Sequence, residues 1–301
     1  MLKSNLPIQF VFLATLFFLF NCKPANKNAT QDEQSIVAPD DIEAIQQKTK
    51  NETKAIFYNM YPPVEMSRLF EKVGAIYDPS ILNPISNEEG YISSSEKALN
   101  LGIYGVDLSY ARNFEEFQAA LEYLNAIHKL STDLGIPEEY FTAAADYIDE
   151  GNNNKDTLNN IASIIYYNTD DYLKKNSQES SAALIMLGGW VEALYIASNI
   201  ARQDVENTEI SERIAVQKYS LNSLISLLSN NRDDITVAKY LLMLKMLKKS
   251  FDKIEVKFGE GASIDTVNKV ISANHINVEM NPEVLDEIKE IIGSIRTDII
   301  N

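Results

Sequence analysis

Lys97-Ala98-Leu99-Asn100-Leu101-Gly102-Ile103-Tyr104-Gly105-Val106-Asp107-Leu108-Ser109-Tyr110 is the stretch on which the fold turns. Lys97, Asn100, Tyr104 and Asp107 recur at i, i+3, i+7 and i+10, which places all four on one stripe of a helix. Gly102 and Gly105 stand inside that helix, where each costs about 1 kcal/mol against alanine, so something must approach the backbone closely there. A second segment repeats the arrangement, with Gly188-Gly189-Trp190 beside Glu192, Tyr195 and Asn199 at i, i+3 and i+7. The two glycine-bearing helices are expected to be partners.

Outward from these segments the apolar period is helical almost throughout. Met66, Leu69, Phe70 and Val73 fall at i, i+3, i+4 and i+7, with Gly74 as a stop. Further helices are expected near 94–111, 113–135 with Asn113 as cap, 137–151, 154–176, 180–202, 209–229, 233–257 and 282–300. The helix over 180–202 has few polar residues in its middle and should be central. Short loops imply antiparallel neighbours. The expected fold is therefore all-α, a single domain of about nine helices packed as antiparallel hairpins. The chain shows no repeat of fixed period, and a bundle and a helical-repeat-like array both fit. Ile254 to Phe258 and Ile276 to Met280 alternate apolar with polar, which predicts a minor β-hairpin near 254–280.

The N-terminus reads differently. Lys3 supplies a positive start, and residues 8–20 (IQFVFLATLFFLF) form an apolar run of about 13 residues, short of the roughly 20 needed to span a bilayer. The run ends at Leu19-Phe20-Asn21-Cys22, and Cys22 is the only cysteine of the chain. This junction resembles the lipobox of bacterial lipoproteins, although Phe20 and Asn21 are larger than that pattern usually carries. The resemblance implies a signal peptide over 1–21, cleaved so that Cys22 becomes an acylated N-terminus. Each buried CH₂ contributes about 0.8 kcal/mol, so two or three acyl chains on Cys22 would anchor the protein stably. Lys23 follows the cysteine where the best-known sorting rule has an inner-membrane aspartate. By that resemblance the expected location is the cell envelope at the outer membrane, on its periplasmic face. Residues 22–60 hold the lipidated cysteine and a polar tether, and residues 61–301 the helical domain. From Lys23 to about Lys54 the chain is too poor in apolar residues to order itself. About 32 residues of flexible coil reach roughly 30 Å.

Charge narrows the partners. The chain has 27 basic and 43 acidic residues, a net charge of −16, and loss of the leader, whose one charged residue is Lys3, makes it more acidic still. Nucleic acid is excluded as a partner, because phosphate binding needs clustered Lys and Arg. An acidic body is also repelled by anionic headgroups, so membrane attachment is expected through the lipid anchor rather than the domain surface. A lone cysteine forms no disulfide within the chain, and stability must come from packing.

Candidate chemistry concentrates on the two polar stripes. Lys97, Asn100, Tyr104, Asp107, Trp190, Glu192, Tyr195 and Asn199 fit a polar cleft between two helices, with aromatic walls and carboxylate acceptors for a small-molecule ligand. The same residues fit a buried hydrogen-bond network that fixes helix register, since buried polar groups need partners whatever the function. Asp107 and Glu192 could act as a glycosidase pair only at a defined separation. His128 and His275 lack the spacing that brings several ligands to one metal. No serine sits in a nucleophile elbow, and Gly259-Glu260-Gly261 carries an acid where a phosphate loop needs amides and a lysine. The expectation is a non-enzyme without cofactor or metal, with an envelope protein as partner.

Tyr61-Pro62, Gly74-Ala75, Asn83-Pro84, Lys97-Ala98-Leu99-Asn100-Leu101-Gly102, Tyr104-Gly105, Asp107-Leu108, Gly188-Gly189-Trp190-Val191-Glu192 and Ile295-Arg296 together resemble an uncharacterised family of all-helical Gram-negative bacterial lipoproteins. The similarity extends over most of the mature chain. It implies an anchored helical body, and it brings no activity, cofactor, partner or functional residue with it.

Overall fold

The computed structural model describes residues 75–140, 169, 171–203, 208–259, 263–265, 270–272 and 276–301. The expected signal, Cys22, the tether and the helix near 66–74 lie outside the described residues, as does most of the chain expected to be helical over 137–151 and 154–176. An irregular segment with 3₁₀ turns at Pro79–Ile81 and Ile85–Gly90 leads into α1, Ser94–Asn113, and α2, Phe117–Asp133. After these come α3, Glu179–Gln203, α4, Thr208–Asn230, and α5, Ile235–Phe251. Strands β1, Glu255–Phe258, β2, Ser263–Asp265, β3, Val270–Ser272, and β4, Ile276–Glu279, precede α6, Pro282–Ile300. The fold is all-α with a minor β element.

Local chemistry sets these boundaries. Ser93 and Glu96 form a capping box at the start of α1: Glu96 N–H donates to Ser93 Oγ at 3.2 Å, and Ser93 N–H to Glu96 Oε2 at 2.8 Å. Asp234 caps α5 by accepting from the N–H groups of Thr236 and Val237. Asn281 caps α6, with Pro282 in the first turn. Gly135, at φ 80°, stops the chain after α2 as expected.

Two expected boundaries move. Asn113 does not cap α2: it is the buried last residue of α1, and the reversal falls on Glu115, at φ 61°, before α2 starts at Phe117. The helix expected to run to 257 ends at Phe251, because the alternating pattern beyond Ile254 pairs as a sheet. β1 lies antiparallel to β4 with Val256 opposite Val278, and β2 lies antiparallel to β3 with Ile264 opposite Ile271. The first of these ribbons is the hairpin expected from the alternation.

Helix α3 is the axis of the core. By length and composition Glu179–Ala201 is apolar enough to cross a membrane, yet 67% of its most apolar window is buried against the rest of the protein. It packs on α1, α4, α5 and α6, and α6 returns from the far end of the chain to touch α1 as well. A one-dimensional array would let each hairpin meet only its neighbours. This arrangement around one shared core is a bundle.

Among the described elements α1 and α3 pack most extensively, and glycine makes the approach close. A Cβ on Gly102 would stand 2.0 Å from the Ile185 carbonyl oxygen, and one on Gly188 would stand 1.9 Å from that of Leu99. The two backbones are in direct contact, as the glycines in both helices require.

Candidate functional site

The tight α1–α3 approach carries polar residues into the core. Asn100, Tyr104 and Asp107 of α1 and Glu192 of α3 are all fully buried, and Arg296 of α6 is 7% exposed. Arg296 lies on the same buried face of α6 as Ile288, Ile292, Ile295 and Ile299. Its Nε donates to Glu192 Oε2 at 2.6 Å and its Nη2 to Glu192 Oε1 at 2.9 Å, a bidentate pair. Nη2 also donates to the Ile81 carbonyl at 3.0 Å, and the guanidinium lies 4.3 Å from the centre of the Tyr195 ring.

Asp107 completes a three-group cluster. Its Oδ2 accepts from the Asn83 N–H at 3.2 Å. Its Oδ1 is buried without a donor among the described residues and adjoins Glu192, whose carboxylate is also an acceptor. Two such oxygens are satisfied only with a proton between them. Burial is the largest influence raising the Asp107 carboxyl well above the usual carboxylate range, and the Glu192 charge adds to it against the opposing pull of Arg296. Burial also raises Glu192, while the hydrogen bonds and charge of Arg296 draw it back. Burial disfavours the Arg296 charge, but the bonds and charge of Glu192 outweigh it and leave its pKa raised. The consistent assignment is a neutral Asp107 donating to an ionised Glu192 that is neutralised by Arg296.

Around this cluster, side chains of the bundle satisfy the backbone of the irregular segment before α1. Tyr123 OH donates to the Asn83 carbonyl and Tyr104 OH to the Pro84 carbonyl, each at 3.1 Å. Asn83 Nδ2 donates to Tyr91 OH at 2.9 Å and Asn100 Oδ1 at 3.1 Å, and Asn100 Nδ2 reaches the Ile299 carbonyl of α6 at 3.0 Å. Tyr110 OH accepts from the Asp78 N–H at 3.2 Å. A segment without α-helical or sheet hydrogen bonds must pair its buried backbone groups in some such way. Burial is the main reason that the hydroxyls of Tyr91, Tyr104 and Tyr123 are held above the ordinary tyrosine range. Tyr104 and Tyr123 thus stay protonated and donate to the backbone, while Tyr91 accepts from Asn83.

The structure divides the expected site residues. Asn100, Tyr104, Asp107 and Glu192 share the network, and Tyr195 floors Arg296. Lys97, at the open end of the α1 stripe, pairs instead with Asp133 of α2 at 2.7 Å. Trp190 lies two residues before Glu192, about 200° away around a helix, and donates from Nε1 to Ser220 Oγ of α4 at 3.1 Å. Asn199 turns back on its own helix, donating to the Tyr195 carbonyl at 2.9 Å. Asn83, Tyr123 and Arg296 belong to the network although the stripes did not mark them as site residues. The available signal was an arginine on the apolar face of an amphipathic helix.

The stripes do not form an open cleft. The glycine contacts close α1 on α3 around Gly102 and Gly188, and Asp107 and Glu192 are fully buried. Of the two readings of the stripes, a ligand cleft between 94–111 and 180–202 or a buried hydrogen-bond network, the full burial of Asn100, Tyr104, Asp107 and Glu192 fits the network. Asp107 and Glu192 adjoin one another in the core, and both are fully buried. A polar groove of about 460 Å³ lies between the start of α1, the start of α5 and the end of α6, with Glu96, Thr236, Lys239 and Asp298 among its lining, and it adjoins the network at Tyr91 and Ile299. No group of three potential metal ligands occurs among the described residues. The chain matches no protein-family model, no curated protein and no solved structure.

Proposed function

We propose that this protein is a lipid-anchored cell-envelope protein whose rigid helical body serves as a scaffold for contacts with another envelope protein. The observation that carries this reading is the position of Cys22, the only cysteine of the chain, at the point where a 13-residue apolar run (8–20) stops. Acyl chains at Cys22 would hold the protein at the outer membrane, and the polar tether would set the body away from the headgroups. The closed core supports a mechanical role over a chemical one. Its buried charges are matched and its polar groups tie the irregular segment 76–91 to α1, α2 and α6, so they lend the body a single geometry.

Replacement of Cys22 by Ser is expected to move the protein from the membrane to the soluble fraction, and mass analysis of the native mature N-terminus should find an acylated cysteine. An unmodified thiol, a retained leader or unchanged partitioning of Cys22→Ser would refute the anchor.

A further inference from the structure

Among the described residues one helix carries a local excess of lysine, bounded at its ends by Asp233, Asp234 and Asp252. Helix α5, Ile235–Phe251, contains four lysines, Lys239, Lys245, Lys248 and Lys249, and no acid, in a chain of net charge −16. Its inner side is packed: Val237, Tyr240, Leu241, Leu244, Leu247 and Phe251 are buried. Its outer side is a stripe of two kinds of residue only. Ile235, Leu242 and Met246 are 86%, 65% and 61% exposed, and the exposed Lys239, Lys245 and Lys249 lie between and beside them. Positions 235, 239, 242, 246 and 249 follow one helical ridge.

Large apolar side chains at such exposure leave apolar area in water, and lysines at these positions place their stems along it and their charges beyond it. Lys239 is paired with Asp298 and Lys248 with Asp252, whereas Lys245 and Lys249 have no acidic partner among the described residues. A convex ridge of apolar residues flanked by lysines is the surface of a helix that lies in a lipid–water interface. A protein partner would have to shape a groove to it, while a lipid surface conforms to it.

We propose that the outer face of α5 is a docking surface for anionic lipid headgroups, with Leu242 and Met246 inserted at the headgroup boundary and Lys245 and Lys249 against phosphates. The idea draws on the anchored reading in one respect. A body tethered at Cys22 stays near the bilayer, so a weak face can orient it at high effective concentration. It modifies the expectation from net charge alone: the body is acidic as a whole, but this face is not.

The test uses the chain from position 22 onward carrying Cys22→Ser, so that neither leader nor acyl chain contributes. The protein is floated with vesicles of phosphatidylcholine alone and with vesicles containing about one-third phosphatidylglycerol. It should float with the anionic vesicles at low salt, stay behind with the neutral ones, and release as salt is raised. Lys245→Glu with Lys249→Glu should lower the bound fraction by about tenfold or more, and Leu242→Ser should lower it with both lysines intact. Helical circular dichroism and the emission of the buried Trp190 would confirm that the variants fold. Absence of flotation, equal flotation with neutral vesicles, or indifference to the charge reversal would overturn the proposal. So would concentration-dependent self-association through this face without lipid, which would make the occupant a second copy. An unacylated native N-terminus would remove the anchor while leaving the vesicle result intact, so the two readings fail separately.

Discussion

Alanine at Gly102 or at Gly293 is the same chemical change in a helix interior, yet the structure requires opposite outcomes. At Gly293 the added Cβ would meet only Tyr195 Cε2 at 3.9 Å, an ordinary contact. The helix propensity of alanine then acts unopposed and should stabilise the protein by about 0.5–1 kcal/mol. At Gly102 the same Cβ would stand 2.0 Å from the Ile185 carbonyl oxygen and 2.7 Å from Gly189 N, both backbone atoms. Ordinary contact begins near 3.4 Å, so α1 and α3 would have to part by more than 1 Å at that point. Overpacking of this kind costs about 1–3 kcal/mol and sometimes more. The upper part of that range applies, because the atoms met are backbone and cannot rotate aside as a side chain could. After the propensity gain of about 1 kcal/mol, a net loss of roughly 2 kcal/mol remains. That corresponds to a fall of about 4–8 °C in midpoint for a domain of this size. Thermal unfolding followed by circular dichroism, with Gly293→Ala as the matched control, measures the difference. If Gly102→Ala unfolds at or above the wild-type temperature, the backbone contact between α1 and α3 is wrong.

The polar cluster makes further predictions. Arg296→Met should cost about 3–5 kcal/mol, because it leaves Glu192 charged and fully buried; Glu192→Gln should cost less, since Arg296 keeps the Ile81 carbonyl, the Tyr195 ring and a side-chain oxygen. Urea denaturation read by Trp190 emission gives both values, and the reverse order would count against the assigned charges. Asp107→Asn should preserve the bond from Asn83 N–H and still donate to Glu192, but it cannot titrate. The folded-state pKa of Asp107 is raised, chiefly by burial, so the folded protein binds this proton more tightly than the unfolded chain. Its stabilising contribution is complete below the ordinary aspartate range and is lost as pH rises from there through the raised value. The stability of Asp107→Asn relative to wild type should therefore increase between pH 5 and pH 9 in urea titrations, and a constant difference would show that Asp107 is ionised throughout.

Helix periodicity and the cost of interior glycine determined much of this protein from sequence. The helices expected over 180–202, 209–229 and 282–300 are found at Glu179–Gln203, Thr208–Asn230 and Pro282–Ile300, and the glycines of α1 and α3 do mark a backbone contact. Alternation over 254–258 and 276–280 likewise disclosed the β1–β4 ribbon. These are local properties, set by which face of an element is apolar and by what each residue permits its own backbone. Periodicity names a buried face but not what fills it. Glu192 meets Arg296 across 104 residues, and Arg296 meets the Ile81 carbonyl across 215. Nor does periodicity describe the irregular segment around Asn83, whose backbone is held by side chains from α1, α2 and α6 in addition to its own 3₁₀ turns. Only the tertiary structure decided that the polar stripes close on one another, because buried charge is balanced by whichever groups the packing brings within hydrogen-bond reach, and that choice is made across the whole bundle.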